Sequence, residues 1–191
     1  MIMQELIATY NPLNDYRLII DPTPAVKKKI AEAKTLFDEQ YKGMVIAGGQ
    51  AFIYLAEFSD YEANEQVTTD QIDRIALGSM PFKLHLKNFG EHEQREIYIG
   101  IENLIPLQLL SDQIGAALSL VPQVRINKIP RVTLAKGLQA FQFIKSWEEY
   151  EKKSFSATFI ANEMLLLKRM EGFSSWQILK RMTFQNLVIT Y

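Results

Sequence analysis

The order of elements along this chain repeats, and the repeat limits its fold more than any single residue does. Phe52-Ile53-Tyr54-Leu55-Ala56 and Arg131-Val132-Thr133-Leu134-Ala135 each follow a strand pattern and then a helix pattern, and each precedes another helix and strand. The distance from opening strand to segment is about thirty residues both times. Two copies of so long a unit suit a closed pseudo-twofold domain better than a stacked solenoid. No linker rich in Gly, Ser or Pro divides them. The expected class is α+β: a duplicated, two-lobed fold whose two mostly antiparallel sheets line a central cleft with helices outside. The expected organisation is one domain over 1–191, its lobes interleaved, with repeat halves of roughly 16–89 and 97–187.

The local patterns carry this reading. Tyr16 to Ile20 reads as a strand, and Asp21-Pro22-Thr23-Pro24 breaks it. Thr23 is placed to cap a helix with Pro24 in its first turn, and Val26, Ile30, Ala33, Phe37 and Tyr41 follow at helical spacing. Gly48-Gly49 precedes a strand over 51–58. The polar stretch 59–65 reads as a loop, with Thr68 or Thr69 capping a short helix that carries Ile72, Ile75 and Ala76. The segment from Pro81 to Phe89 alternates well, Phe82, Leu84 and Leu86 against Lys83, His85 and Lys87, and predicts a half-buried strand with His85 facing outward; His92 falls in a polar turn over 90–93. In the second half, a strand over 97–101 is followed by a helix opened by Pro106, which carries Leu107, Leu110, Ile114, Ala117 and Leu118 and stops by Pro122. A strand over 129–136 and a helix with Leu138, Phe141, Ile144 and Trp147 come next. Segments 155–168 and 176–187 read as a closing hairpin around Met170-Glu171-Gly172.

Composition excludes several function classes. With 191 residues, 48% of them hydrophobic, the chain can bury one substantial core. A net charge of −1 gives no support to broad nucleic-acid or membrane binding. The absence of cysteine removes disulfides, thiol nucleophiles and cysteine metal sites. Residues 1–10 lack the basic start and apolar run of a secretory leader, and no apolar run approaches the ~20 residues of a membrane span. A cytoplasmic protein with no membrane partner is expected. The acidic loop Glu57, Asp60, Glu62 and Glu65 lacks the spacing of a calcium site, and Gly48-Gly49 lacks the Lys-Ser/Thr of a phosphate loop. No Gly-x-Ser-x-Gly elbow is present. Neither a metal nor a cofactor is expected.

The paired segments, the strand from Pro81 to Gly90 and the stretch from Phe155 to Leu167 together resemble the two-histidine phosphoesterases, the group that includes the 2′-5′ RNA ligase-like proteins. The resemblance extends from about Tyr16 to Phe184. It implies two His-x-Thr signatures facing a cleft, with the imidazoles as general base and acid on a 2′,3′-cyclic or 2′-5′ phosphodiester and the threonines on phosphate oxygens. Position by position, the first histidine falls on Phe52 and its threonine on Tyr54. The second histidine falls on Arg131, and its threonine is kept as Thr133. Phe52 carries no transferable proton, and Arg131 stays protonated at any working pH. No catalytic residue is therefore expected at the signature positions.

Three functions follow as expectations. The first is a cleft without the family's phosphodiesterase activity that binds a small phosphorylated ligand, a nucleotide or sugar phosphate, through Phe52, Tyr54, Arg131 and Thr133. An RNA end is a further candidate ligand, although no broad basic surface supports it. The second is a phosphodiesterase or RNA-end-processing enzyme with altered residues, Tyr54 or His85 serving as proton donor. The third is a protein-interaction module in which Phe52 and Tyr54 fill the cleft and Arg131 pairs with a carboxylate such as Glu57 or Glu163. The sequence does not set the oligomeric state.

Overall fold

The computed structural model describes residues 11–41 and 51–188. The Gly48-Gly49 pair and the first ten residues lie outside them. The elements run in the order β1 (Leu13–Ile20), α1 (Pro24–Gln40), β2 (Ile53–Tyr61), α2 (Glu65–Gly78), β3 (Phe82–His92), β4 (Glu96–Ile101), α3 (Ile105–Ala117), β5 (Arg125–Ile126), β6 (Val132–Lys136), α4 (Ala140–Tyr150), β7 (Ser156–Ala161), β8 (Glu163–Arg169) and β9 (Gln177–Thr183).

The strands form two sheets, ordered β5-β2-β1-β8-β9 and β6-β4-β3-β7, and their paired strands are antiparallel. The two orders match from one end. A segment strand (β2 or β6) lies beside its own opening strand (β1 or β4), which then pairs with a strand donated by the other half (β8 or β3). Each sheet therefore needs both halves of the chain.

Alternation along the strands sorts the faces. On β1, Tyr16, Leu18 and Ile20 enter the main core, which they share with Ile53, Leu55 and Phe58 of β2, Leu84 and Leu86 of β3, and Ile99 of β4. Helices cover that side: Val26 and Ile30 of α1, Ile72 and Ala76 of α2, and Leu107, Leu110 and Ile114 of α3 belong to the same core. Fully burying each such aliphatic side chain contributes roughly 1.5–3 kcal/mol. A second cluster joins Phe37, Leu134, Phe143 and Tyr150 beneath α1 and α4. The opposite face of the first sheet carries the small buried cluster Ile19, Leu165 and Leu167, and the cleft between the sheets carries the polar residues described below.

Five local expectations are corrected. Strand β2 continues through Ser59 to Tyr61, because this stretch pairs with Leu13 to Asp15 and Ser59 Oγ donates a 2.7 Å hydrogen bond to Asp15. Helix α2 begins at Glu65 after Asn64, so neither Thr68 nor Thr69 caps it; Thr68 Oγ1 donates to buried Asp60 at 3.0 Å instead. Strand β3 runs on to His92, and the turn falls later, where Glu93 and Gln94 take φ of 51° and 54°. Helix α4 turns Phe143, Ser146 and Tyr150 inward and leaves Phe141 and Ile144 exposed. The set Leu138, Phe141, Ile144, Trp147 is spaced by threes, and each step of three falls about 60° short of a full α-helical turn, so it drifts off any one face. Finally, the stretch 155–168 is two strands parted at Asn162, β7 in one sheet and β8 in the other, and only β8 and β9 form the closing hairpin.

Candidate functional site: a charged cleft between the sheets

Phe52 and Arg131 occupy equivalent places. Each is the residue immediately before its segment strand, Phe52 ahead of Ile53 and Arg131 ahead of Val132. Both line one cavity of about 530 Å³ between the sheets, together with Tyr54 and Thr133. The four residues singled out by the sequence are thus brought together. The cleft is open, so the expectation that Phe52 and Tyr54 fill it is not met. Four cationic side chains, Arg17, Arg125, Arg131 and Lys136, share the cavity with two carboxylates, Glu57 and Glu96.

One wall is built on β6 and β4. Arg131 Nε and Nη2 donate to Glu96 at 3.3 and 2.6 Å, a two-pronged pair with side chains only 18% and 16% exposed. Thr133 Oγ1 donates to the same carboxylate at 2.7 Å. The guanidinium lies 4.9 Å from the centre of the Tyr98 ring. The partner of Arg131 is therefore Glu96, not Glu57 or Glu163; Glu163 is held by Arg181 at 2.7 Å. Lys136 stands directly across the ladder from Glu96 and has no ion-pair partner among the described residues.

The facing wall is built on β1 and β2. Arg17 and Glu57 are register partners, and Arg17 Nη2 and Nε donate to Glu57 Oε2 at 2.7 and 3.0 Å. The Arg17 guanidinium sits 4.3 Å from the Trp176 ring centre and 6.0 Å from those of Phe52 and Tyr54. Phe52 also packs with Ile19, Leu165 and Leu167. Arg125 reaches Glu57 only at 3.6 Å, with its side chain 80% exposed.

The Tyr54 proton is engaged within the protein. Its hydroxyl donates to the Arg125 carbonyl at 3.2 Å, and burial, reinforced by the charge of Glu57, pushes its pKa up to about 12. Asn127 fixes the strand here by donating from Nδ2 to the Tyr54 carbonyl at 2.8 Å.

Neither of the chain's two histidines lines the cavity. His85 does lie on the open face of its sheet, with Nδ1 2.6 Å from Glu102 and Nε2 3.2 Å from Ser156 Oγ. Glu102 is six residues along the chain from Glu96, roughly 20 Å at strand rise. The Lys87 and His85 hydrogen bonds hold the Glu102 carboxyl below its usual range. A groove of about 590 Å³ between α2 and α3 has Arg74 as its one charged lining group and offers no comparable convergence. No group of three or more metal-ligating side chains is assembled among the described residues, and no helix among them is long and apolar enough to cross a membrane.

Sequence reasoning missed Arg17, Arg125, Glu96, Lys136 and Trp176. A signal existed for two of them: Arg17 and Glu96 alternate away from the buried residues of their strands. Arg125 reaches the site on the two-residue strand β5 and Trp176 from the connection ahead of β9, and no local pattern encodes either.

No family model and no curated protein matches this sequence. Solved structures do. Escherichia coli LigT complexed with 3′-AMP is 15% identical with a TM-score of 0.67, over 91% of this chain and 98% of that one. The same protein complexed with phosphate gives 15% identity and a TM-score of 0.63 over the same shares. TT0787 of Thermus thermophilus is also 15% identical, with a TM-score of 0.63 over 91% and 98%. The chain has the two-lobed α+β fold of the LigT-type two-histidine phosphoesterases.

Proposed function

We propose that the cleft binds a small phosphorylated or nucleotide-like ligand and does not carry out two-imidazole phosphodiester hydrolysis. The observation that carries this reading is the concentration of Arg17, Arg125, Arg131 and Lys136 around one cavity in a chain whose net charge is −1. Four cations facing two carboxylates leave a local excess of positive charge, which a phosphate neutralises. Phe52 and Tyr54 offer aromatic surface for a base or sugar beside it. That LigT, a protein of the same fold, is solved with 3′-AMP and with phosphate makes those two compounds the natural probes.

The chemistry is limited by what stands at the signature positions. Phe52 cannot exchange a proton, and the Arg131 guanidinium cannot act as a base. Each missing acid or base removes about 10²–10⁴ in rate. Tyr54, with its pKa raised to about 12 and its proton committed to a backbone carbonyl, replaces neither.

Calorimetric titration of the purified protein with 3′-AMP, beside an assay of 2′,3′-cyclic nucleotide hydrolysis, tests the reading. Saturable binding without turnover is expected. Turnover would overturn the non-catalytic part, and absence of binding by any phosphate probe the rest.

A further inference from the structure

The groups expected to hold the ligand's anion are already engaged. Glu96 takes the two-pronged donor set of Arg131 on both its oxygens and the Thr133 hydroxyl on one of them. This is the arrangement a phosphate would use, with a carboxylate standing in its place. Next to it, Lys136 faces Glu96 across the β4–β6 ladder, lines the same cavity and lacks an ion-pair partner among the described residues. Glu96 thus has two cationic stations within reach of one side chain, one occupied and one vacant.

Resting on the phosphate-site reading above, we propose that Glu96 is a resident anion which the ligand must displace, moving from Arg131 and Thr133 to Lys136 as the phosphate enters. The exchange sets the class of ligand. A phosphodiester brings a single negative charge, no more than the carboxylate it must replace. A terminal phosphate monoester brings a charge near −2 at neutral pH and three strong acceptor oxygens. Only the monoester offers Arg131 and Thr133 more than they lose. The site accordingly selects phosphate monoesters over cyclic or internal diesters.

The test is a set of titrations with 3′-AMP and with 2′,3′-cyclic AMP, using wild type, Glu96→Gln, Lys136→Met and the double variant. Wild type should bind 3′-AMP at least about tenfold more tightly than the cyclic diester, one charge-assisted hydrogen bond's difference. Glu96→Gln, which keeps shape and removes the competing charge, should tighten both ligands by the shared cost of displacing the carboxylate. Lys136→Met should weaken 3′-AMP binding to wild type several-fold and have little effect in the Glu96→Gln background, the coupling expected if Lys136 acts by receiving Glu96. Equal affinities in wild type, or weaker binding by Glu96→Gln with its melting temperature kept, would overturn the exchange while leaving the phosphate site standing. If neither wild type nor Glu96→Gln bound either nucleotide, the phosphate-site reading would fail and the exchange with it. The wild-type comparison alone remains decisive should Glu96→Gln fail to fold.

Discussion

Arg17 and Glu57 face each other across β1 and β2, with two guanidinium nitrogens on one carboxylate oxygen at 2.7 and 3.0 Å and Trp176 packed 4.3 Å from the guanidinium. The pair fixes the wall of the cleft opposite Arg131. Replacing Arg17 with Met strands Glu57 beside aromatic rings, with only distant Arg125 as partner. Both side chains are about a quarter exposed, so solvent screens part of the loss. A destabilisation of about 1–2 kcal/mol is expected in urea unfolding. Arg17→Lys should recover part of it, because an ammonium restores charge but not the planar fork.

Gly90 sits opposite Tyr98 on the β3–β4 ladder, and a Cβ there would lie 2.6 Å from the Tyr98 ring. Tyr98 in turn flanks the Arg131 guanidinium. Gly90→Ala should therefore tilt Tyr98 and disturb Arg131, although neither Gly90 nor Tyr98 itself lines the cavity. Several-fold weaker 3′-AMP binding with a modest fall in melting temperature is the expected result. Unchanged affinity would show that Tyr98 does not support the arginine.

Hydrolysis of 2′,3′-cyclic nucleotides should stay at the buffer background in wild type, and Arg131→His alone should not restore it. One imidazole returns one of two proton-transfer partners, each worth about 10²–10⁴ in rate. Product formation in a sensitive chromatographic assay, lost in Arg131→Ala, would show instead that the cleft hydrolyses diesters with other groups.

Lys34, on the buried face of α1, has its pKa lowered to about 8 by burial. The folded state thus holds this proton less tightly than the unfolded chain, whose lysine titrates near 10.4. The associated penalty is full below about pH 8 and is relieved as pH rises toward 10. Stability measured by denaturant titration should climb across that window in wild type. Lys34→Met should be the more stable protein at pH 7 and show a flatter rise.

The fold was more legible in the sequence than the site was. Tyr16 to Ile20, the helix after Pro24 and the alternating strand after Pro81 announced themselves, because a period of two or of 3.6 is a local property. The sheet exchange at Asn162 was not local. Nothing within the stretch 155–168 distinguishes one long strand from two strands that pair with β3 and β1 respectively. The same limit applies at the cleft. Phe52, Tyr54, Arg131 and Thr133 were placed by the family resemblance, position by position, and the repeat pairs Phe52 with Arg131 and Tyr54 with Thr133. Glu96 could be seen to face away from Ile97 and Ile99, but its position under Arg131 depends on a β4–β6 register with an irregularity between Ile97 and Tyr98. Whether an arginine meets a ligand or a neighbouring carboxylate is decided by that register, which no single strand encodes.

The central claim is that this cleft is a binding site for a phosphorylated small molecule, with Arg131 in its anion-holding wall. The most direct measurement is calorimetric titration of 3′-AMP into wild type and Arg131→Ala, with the melting temperature of each recorded beforehand. Saturable one-to-one binding by wild type, lost in an Arg131→Ala protein that still melts cooperatively, is the predicted result. The same isotherm in both proteins, or none in wild type at millimolar nucleotide, would contradict it.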